Sequence, residues 1–252
     1  MENTGLLESP ELKAALENYS TFLAEARRRL IFTLCVFGAA TIAGFILYEK
    51  IIKFLIGILS LNGINIVFTS PFQFINLAIS CGIAVGIIVS FPLLVIQILT
   101  FLKPALRRKE FKTLIRFLPF SLFLFLLGLA FGFLIMKWQI KIFLDRSVAL
   151  GIGNVLDISS LLSTVLFTSA LMGIGFEFPI LLILLLKLGI VKRQKLTKIR
   201  HWVYLGSFIF AMLLPPDSIL ADVLLALPLI ILFELTLILS RFQKDKLIVE
   251  TS

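Results

Sequence analysis

The sequence predicts an all-α membrane protein with six transmembrane helices, the last two short, and both termini in the cytoplasm. Three observations carry that prediction. The composition is that of a chain solvated by lipid: 59% of the 252 residues are hydrophobic and 15% are charged, where a soluble protein has about 45–50% and about 25%. Apolar runs recur at the length a bilayer demands, about 20 residues for a helix crossing about 30 Å of hydrocarbon. The basic residues are also unevenly distributed. With six spans and an inside N-terminus, 19 of the 24 lysines and arginines fall in inner segments and 5 in outer ones, the bias that orients membrane proteins.

The elements follow in order. Residues 1–29 form a cytoplasmic N-terminal segment. Within it Ser9 and Pro10 start a helix as N-cap and first helical residue, and Leu12, Ala15, Leu16, Tyr19, Leu23 and Ala26 recur at helical spacing. Residues 30–240 form a single transmembrane domain. Its first run, Leu30 to Tyr48, is too long for the apolar core of a cleaved leader and is expected to be a retained span. Lys53 to Leu61 is apolar but too short to cross, and is expected to lie at the outer interface or to cap the bundle. Phe74 to Leu102, Phe117 to Met136 and Ile158 to Leu186 give the next three spans. Trp202 to Leu214 would cover only about 20 Å at 1.5 Å per residue, and Val223 to Ser240 is interrupted by Pro228. Pro215 and Pro216 supply the turn between these two, since neither can donate to a continuing helix. Residues 241–252 are a cytoplasmic tail.

Several function classes are excluded or disfavoured. A net charge of +9 would point to nucleic acid in a soluble chain; here it reflects basic cytoplasmic loops, and no nucleic-acid partner is expected. Cys35 and Cys81 lie inside apolar runs and read as small hydrophobes, and a single histidine, His201, builds no metal cluster. HExxH, GxSxG and P-loop motifs are all missing. Asp217 and Asp222 stand in an outer loop beside the proline turn, a poor place for an aspartyl dyad. Neither an enzyme nor a cofactor is expected.

The polar residues that need explaining are few. Glu177, in the middle of an apolar run, costs about 2.5–3.5 kcal/mol at that depth, so it requires a partner, water or a cavity. Gly173, Gly175 and Pro179 mark a bend or a close approach beside it. Glu234 lies nearer the inner end of its run, with a cytoplasmic base such as Arg241 as the expected partner. Gln97 is either interhelical glue or part of a site. Glu110 is the one acid among six bases in the loop near 103–116, and Glu25 stands beside Arg27 in "FLAEARRRL". Each is explained singly as a surface ion pair. Taken together, two carboxylates on one cytoplasmic face fit a cationic peptide bearing arginines.

Four signatures in this order resemble the TatC family, the multispanning core subunit of the twin-arginine protein translocase, over about residues 20 to 242. "FLAEARRRL" is similar to the family's opening motif, keeping Leu23, Glu25, Arg27, Arg29 and Leu30. "FPLLVIQILTFLKPALRRKE" carries Pro92, Gln97, Phe101, Pro104, Leu106 and Glu110; "GFEFPILLILLLKLGIV" is similar to the signature around Glu177; "LLPPDSILADVLLALPLIILFE" keeps Pro216, Asp217, Pro228 and Glu234. The resemblance implies a concave, glove-like bundle that receives the signal peptides of folded cargo proteins. Their paired arginines would engage Glu25 and Glu110, supported by Arg27, Gln97 and Phe101. Glu177 would face a lipid-open cavity, and Asp217 would lie in the outer hairpin. The implied partners are small single-span subunits of the TatA and TatB type, membrane lipid and further copies of the chain, in a prokaryotic cytoplasmic membrane with the proton-motive force as energy source. Phe22, Ala26, Gln73 and Asp222 depart from the family pattern. The residues alone leave two other readings: a proton-coupled small-solute transporter using Glu177, which predicts an inverted repeat, and a membrane scaffold.

Overall fold

The computed structural model describes residues 10–59, 65–67, 70–101, 108–150, 155–187, 191, 193–216 and 218–249. Its side-chain description begins at Leu23, omits 65–67, 108–117, 155–156, 187 and 193, and ends at Ile238. The described residues are helical almost throughout: α1 (Pro10–Ile46), α2 (Tyr48–Leu59), α3 (Gln73–Phe101), α4 (Arg108–Ala149), α5 (Ile158–Phe176), α6 (Phe178–Lys187), α7 (Arg193–Lys198), α8 (Arg200–Met212) and α9 (Ile219–Val249). Two three-residue strands, β1 (Asn65–Val67) and β2 (Val155–Asp157), pair in parallel.

Among the described residues, five stretches are long and apolar enough to cross a membrane: Leu23–Ile46, Gln73–Phe101, Leu118–Ala149, Ile158–Leu186 and Ile219–Ile238. They coincide with five of the six expected spans, with three differences. The N-terminal segment and the first span are one continuous helix, so Glu25 and its arginines are carried on the same helix as the span. The third span's helix runs past Met136 to Ala149, carrying Lys137, Lys141 and Arg146, three of the five basic residues that the six-span count assigns to outer segments. The last span begins at Ile219, four residues before the expected start, and reaches crossing length. The remaining expected span, fifth in chain order, is α8; it has 13 residues, about 20 Å of helix, and ends at the expected proline turn.

The bundle is built around α5. Half of the α5–α6 span is buried inside the protein, against 6% of the α1 span, which leans on α3 and otherwise presents an apolar face. Lipid tails give apolar side chains no reason to leave them, so contact between spans depends on close approach. Gly44 and Gly82 provide it between α1 and α3: a Cβ on Gly82 would lie 2.7 Å from the Thr41 carbonyl oxygen. At one end of the bundle α2 lies over the others, burying Leu55 and Leu59 against Leu77, Cys81, Met136 and Leu162. The Lys137 Nζ donates to the Ile58 carbonyl at 2.8 Å, a cation on a helix C-terminus. Pro92, Pro119 and Pro228 sit inside helices, as membrane helices tolerate where neighbours satisfy the freed carbonyls.

The same end holds a clasp the sequence did not announce. β1 leads into α3 and β2 into α5, in the register Val67 opposite Asp157. Asp157 Oδ1 caps α5, accepting from the amides of Ser159 (2.9 Å) and Ser160 (3.4 Å), while its Oδ2 accepts from Gln73 Nε2 at 2.7 Å. The Ser159 hydroxyl donates to the Gln73 carbonyl at 3.0 Å. Gln73, one of the departures from the family pattern, is thus a donor in place, which a glutamate opposite Asp157 would not be. Asp157→Ala removes cap and clasp together and is expected to destabilise by about 1–2 kcal/mol; Asp157→Asn, which keeps a capping oxygen, should cost less. Thermal unfolding in detergent tests the order of the two.

Candidate arginine site on the first helix

Glu25 is exposed on α1. Its carboxylate Oε1 accepts from Arg29 Nη2 at 2.5 Å and from Arg29 Nε at 3.1 Å. The partner is therefore Arg29, one turn along, and not Arg27. Residues two apart point to different sides of a helix, whereas residues four apart share a face. Arg27 and Arg28 are exposed.

Arg29 carries the site across to α3. Its Nη1 donates to the Gln97 carbonyl at 3.2 Å, close to the C-terminal end of α3 at Phe101. Gln97 Oε1 lies 2.8 Å from Thr33 Oγ1, and the same hydroxyl lies 3.0 Å from the Arg29 carbonyl, so its single proton serves one of the two at a time. Gln97 is thus both glue between helices and a neighbour of the carboxylate. Beyond Arg29 an apolar groove of about 490 Å³ opens between α1 and α3, lined by Leu30, Leu34, Phe37, Leu94 and Phe101 among others. Glu25, Gln97 and Phe101 are thereby gathered at one end of the bundle. Thr33 and Arg29 were missed as site residues; the i, i+4 spacing of Glu25 and Arg29 was the available signal. Glu110 belongs to α4, but its side chain lies outside the described side chains, and Asp217 lies outside the described residues.

Glu177 is elsewhere. It is the residue at which the fourth span breaks into α5 and α6, its amide bonded back to Ile174 (3.1 Å) and its carbonyl to the amides of Ile180 (3.0 Å) and Leu181 (3.2 Å). The resemblance implies a place facing an open cavity; here the side chain is 2% exposed and turned onto α4. There the Ser121 hydroxyl lies 2.8 Å from each carboxylate oxygen. Glu234 has a base from an expected inner segment beside it, together with a hydroxyl that the sequence did not indicate. It accepts from the Tyr204 hydroxyl and pairs with Arg200 Nε at 3.7 Å. Both partners are on α8; the side chain of Arg241, the example named from the sequence, lies outside the described side chains.

Residues 21–228 match the family described as "Sec-independent protein translocase protein (TatC)". The chain belongs to the TatC family. The Bacillus subtilis (strain 168) Sec-independent protein translocase protein TatCy is 32% identical over 226 residues, covering 87% of either chain. The TatC of Escherichia coli (strain K12) is 34% identical over 162 residues, 64% of this chain and 63% of that one. The crystal structure titled "Twin Arginine Translocase Receptor- TatC in DDM" superposes with a TM-score of 0.76 at 28% identity, covering 86% of this chain and 98% of that chain. This TatC chain is therefore a multi-pass membrane protein and a component of the Sec-independent, twin-arginine translocase.

Proposed function

We propose that this TatC chain is the signal-peptide receptor of its translocase. Glu25 and Glu110, with Arg27, Gln97 and Phe101 around them, take the two arginines of a folded cargo's signal peptide on the cytoplasmic face. Occupancy nucleates assembly with small single-span subunits of the TatA and TatB type, and with further copies of the chain, into a complex driven by the proton-motive force. Both termini are then cytoplasmic, and Asp217 belongs to the opposite, outer face.

One observation carries the proposal: the Glu25 carboxylate already holds a guanidinium, at the exposed mouth of an apolar groove between α1 and α3. A signal peptide presents that same pairing of chemistries, arginines followed by an apolar stretch. Arginine suits such a site better than lysine because its donors approach in a fixed plane.

The test is crosslinking of a twin-arginine signal peptide to the membrane-embedded protein, with a twin-lysine peptide as control. Glu25→Ala and Glu110→Ala are each expected to reduce capture about ten- to a hundredfold, in keeping with about 1.5–3 kcal/mol for a charge-assisted contact, and the double variant to abolish arginine dependence. Arginine-dependent capture that survives the double substitution overturns the receptor site. Its absence from folded wild type, with partners present, would move attention to Glu177 and solute transport.

A further inference from the structure

We infer that the groove between α8 and α6 holds an anionic diacyl phospholipid, its phosphate on Lys195 and Lys198 and an acyl chain along Gly206. The inference does not depend on the receptor reading of Glu25.

The groove has a volume of about 480 Å³ and is lined by Leu181, Trp202, Gly206, Phe210 and Leu229 among others. Two glycines make the room. A Cβ on Gly206 would meet nothing within 4 Å, and one on Gly175 would stand 3.1 Å from the Phe210 ring. One side is open to lipid, for Trp202 is 72% exposed and Leu181 43%. Such a lining accepts any acyl chain, so preference among lipids has to come from the headgroup.

α7 and α8 bring charge to the mouth of this groove. The Ile199 amide bonds to the Lys195 carbonyl and the Val203 amide to the Ile199 carbonyl, both at 3.1 Å, so the helical path continues through their junction. On that path Lys195, Trp202 and Gly206 follow one another at steps of seven and four residues and share a face, with Lys198 one turn before Trp202. Leu196 pins the segment in place, buried with Leu182, Phe233 and Leu237. Lys195 and Lys198 are exposed, and among the described residues neither pairs with a carboxylate. Glu234 is already taken by Arg200 and the Tyr204 hydroxyl. The order along the face is therefore two ammonium groups, an amphipathic ring of the kind that sits at headgroup level, and an apolar slot. That is the order of phosphate, ester region and chain in a phospholipid, and basic pockets between spans take acidic headgroups. A zwitterionic lipid offers the same chain but sets its own cation beside the lysines. An apolar helix would fill the slot and leave the lysines unanswered.

The experiment uses Trp202 as a reporter at the site. Trp138 and Trp202 are the two tryptophans of the chain, so the full-length protein is studied as Trp138→Phe in phosphatidylcholine nanodiscs. Phosphatidylglycerol or phosphatidylcholine brominated in the acyl chain is then titrated in at low mole fraction. Phosphatidylglycerol is expected to reach half-maximal quenching at about five- to thirtyfold lower mole fraction, the range for one to two lysines near a headgroup. Lys195→Gln with Lys198→Gln should bring the two lipids together. Lys50→Gln with Lys53→Gln removes the same charge from exposed positions on α2 and should change nothing. Gly206→Leu, which fills the slot with the lysines intact, should lose most of the preference while its thermal midpoint matches the parent. Equal quenching by both lipids in the parent overturns the site, as does a preference that survives the double lysine substitution. A full preference in folded Gly206→Leu overturns the groove, leaving attraction to a basic surface alone. Loss of quenching by either lipid when single-span subunits are reconstituted alongside overturns the lipid in favour of a protein helix.

Discussion

Gly128→Leu is expected to drive α4 away from α5 and to destabilise the bundle by about 3 kcal/mol, the upper part of the range for overpacking. A Cβ at this position would lie 2.5 Å from the Met172 carbonyl oxygen and 2.9 Å from the Gly173 Cα. Both obstacles are backbone, which cannot rotate aside as a side chain would. One turn along, a Cβ on Gly132 would meet the Ser169 Cα at 2.9 Å, so the approach is close over the length of the contact and no local slide relieves it. Since α5 is the most enclosed span, its displacement is felt by α3 and α9 as well. The measurement is the thermal midpoint in detergent. Gly38→Ala and Gly206→Ala are the controls: a Cβ there meets nothing within 4 Å, and exchanging a helical glycine for alanine is neutral or slightly stabilising. Equal loss in all three variants would mean that the α4–α5 approach is not special.

The second large effect concerns Ser121. Its hydroxyl is the partner of a carboxylate that is 2% exposed. Ser121→Ala leaves that carboxylate without its hydrogen bond and is expected to cost about 1–3 kcal/mol, the penalty of an unsatisfied buried group. The same change in a Glu177→Gln background should cost less, because an amide is cheaper to leave unpaired than a carboxylate. The difference between the two backgrounds is the coupling energy of the pair, and we expect it to exceed about 0.5 kcal/mol. A Ser121→Ala cost that is the same in both backgrounds would show that the hydroxyl does not serve Glu177.

The spans were legible because each is a long apolar run, and length against bilayer thickness is a one-dimensional question. The break at Glu177 was signalled too, by Gly173, Gly175 and Pro179. What could not be read is whatever depends on which helices meet. Ser121 as the partner of Glu177, Tyr204 and Arg200 as the partners of Glu234, and Gln97 under Arg29 are pairs from different spans, and no periodicity reveals them. The strand pair was hidden for a second reason: three residues are too few for an alternating pattern, and β1 and β2 find each other only after α3 and α4 have been laid down between them. The Glu25–Arg29 pair is different, since it was available from spacing alone. The cluster of three arginines obscured which one faces the carboxylate.

The clasp between β1 and β2 has a consequence for depth. Gln73 opens α3 and Asp157 caps α5, and the hydrogen bond between their side chains starts the two helices level with one another, a common zero line for both. From Asp157 to Glu177, α5 then advances about 30 Å at 1.5 Å per residue. The position of the buried carboxylate opposite Ser121 is measured off from that line as a plumb bob hangs from its fixing. Adding or removing one residue within α5 would turn everything below it by about 100°, carrying Glu177 off Ser121 while the clasp stayed shut.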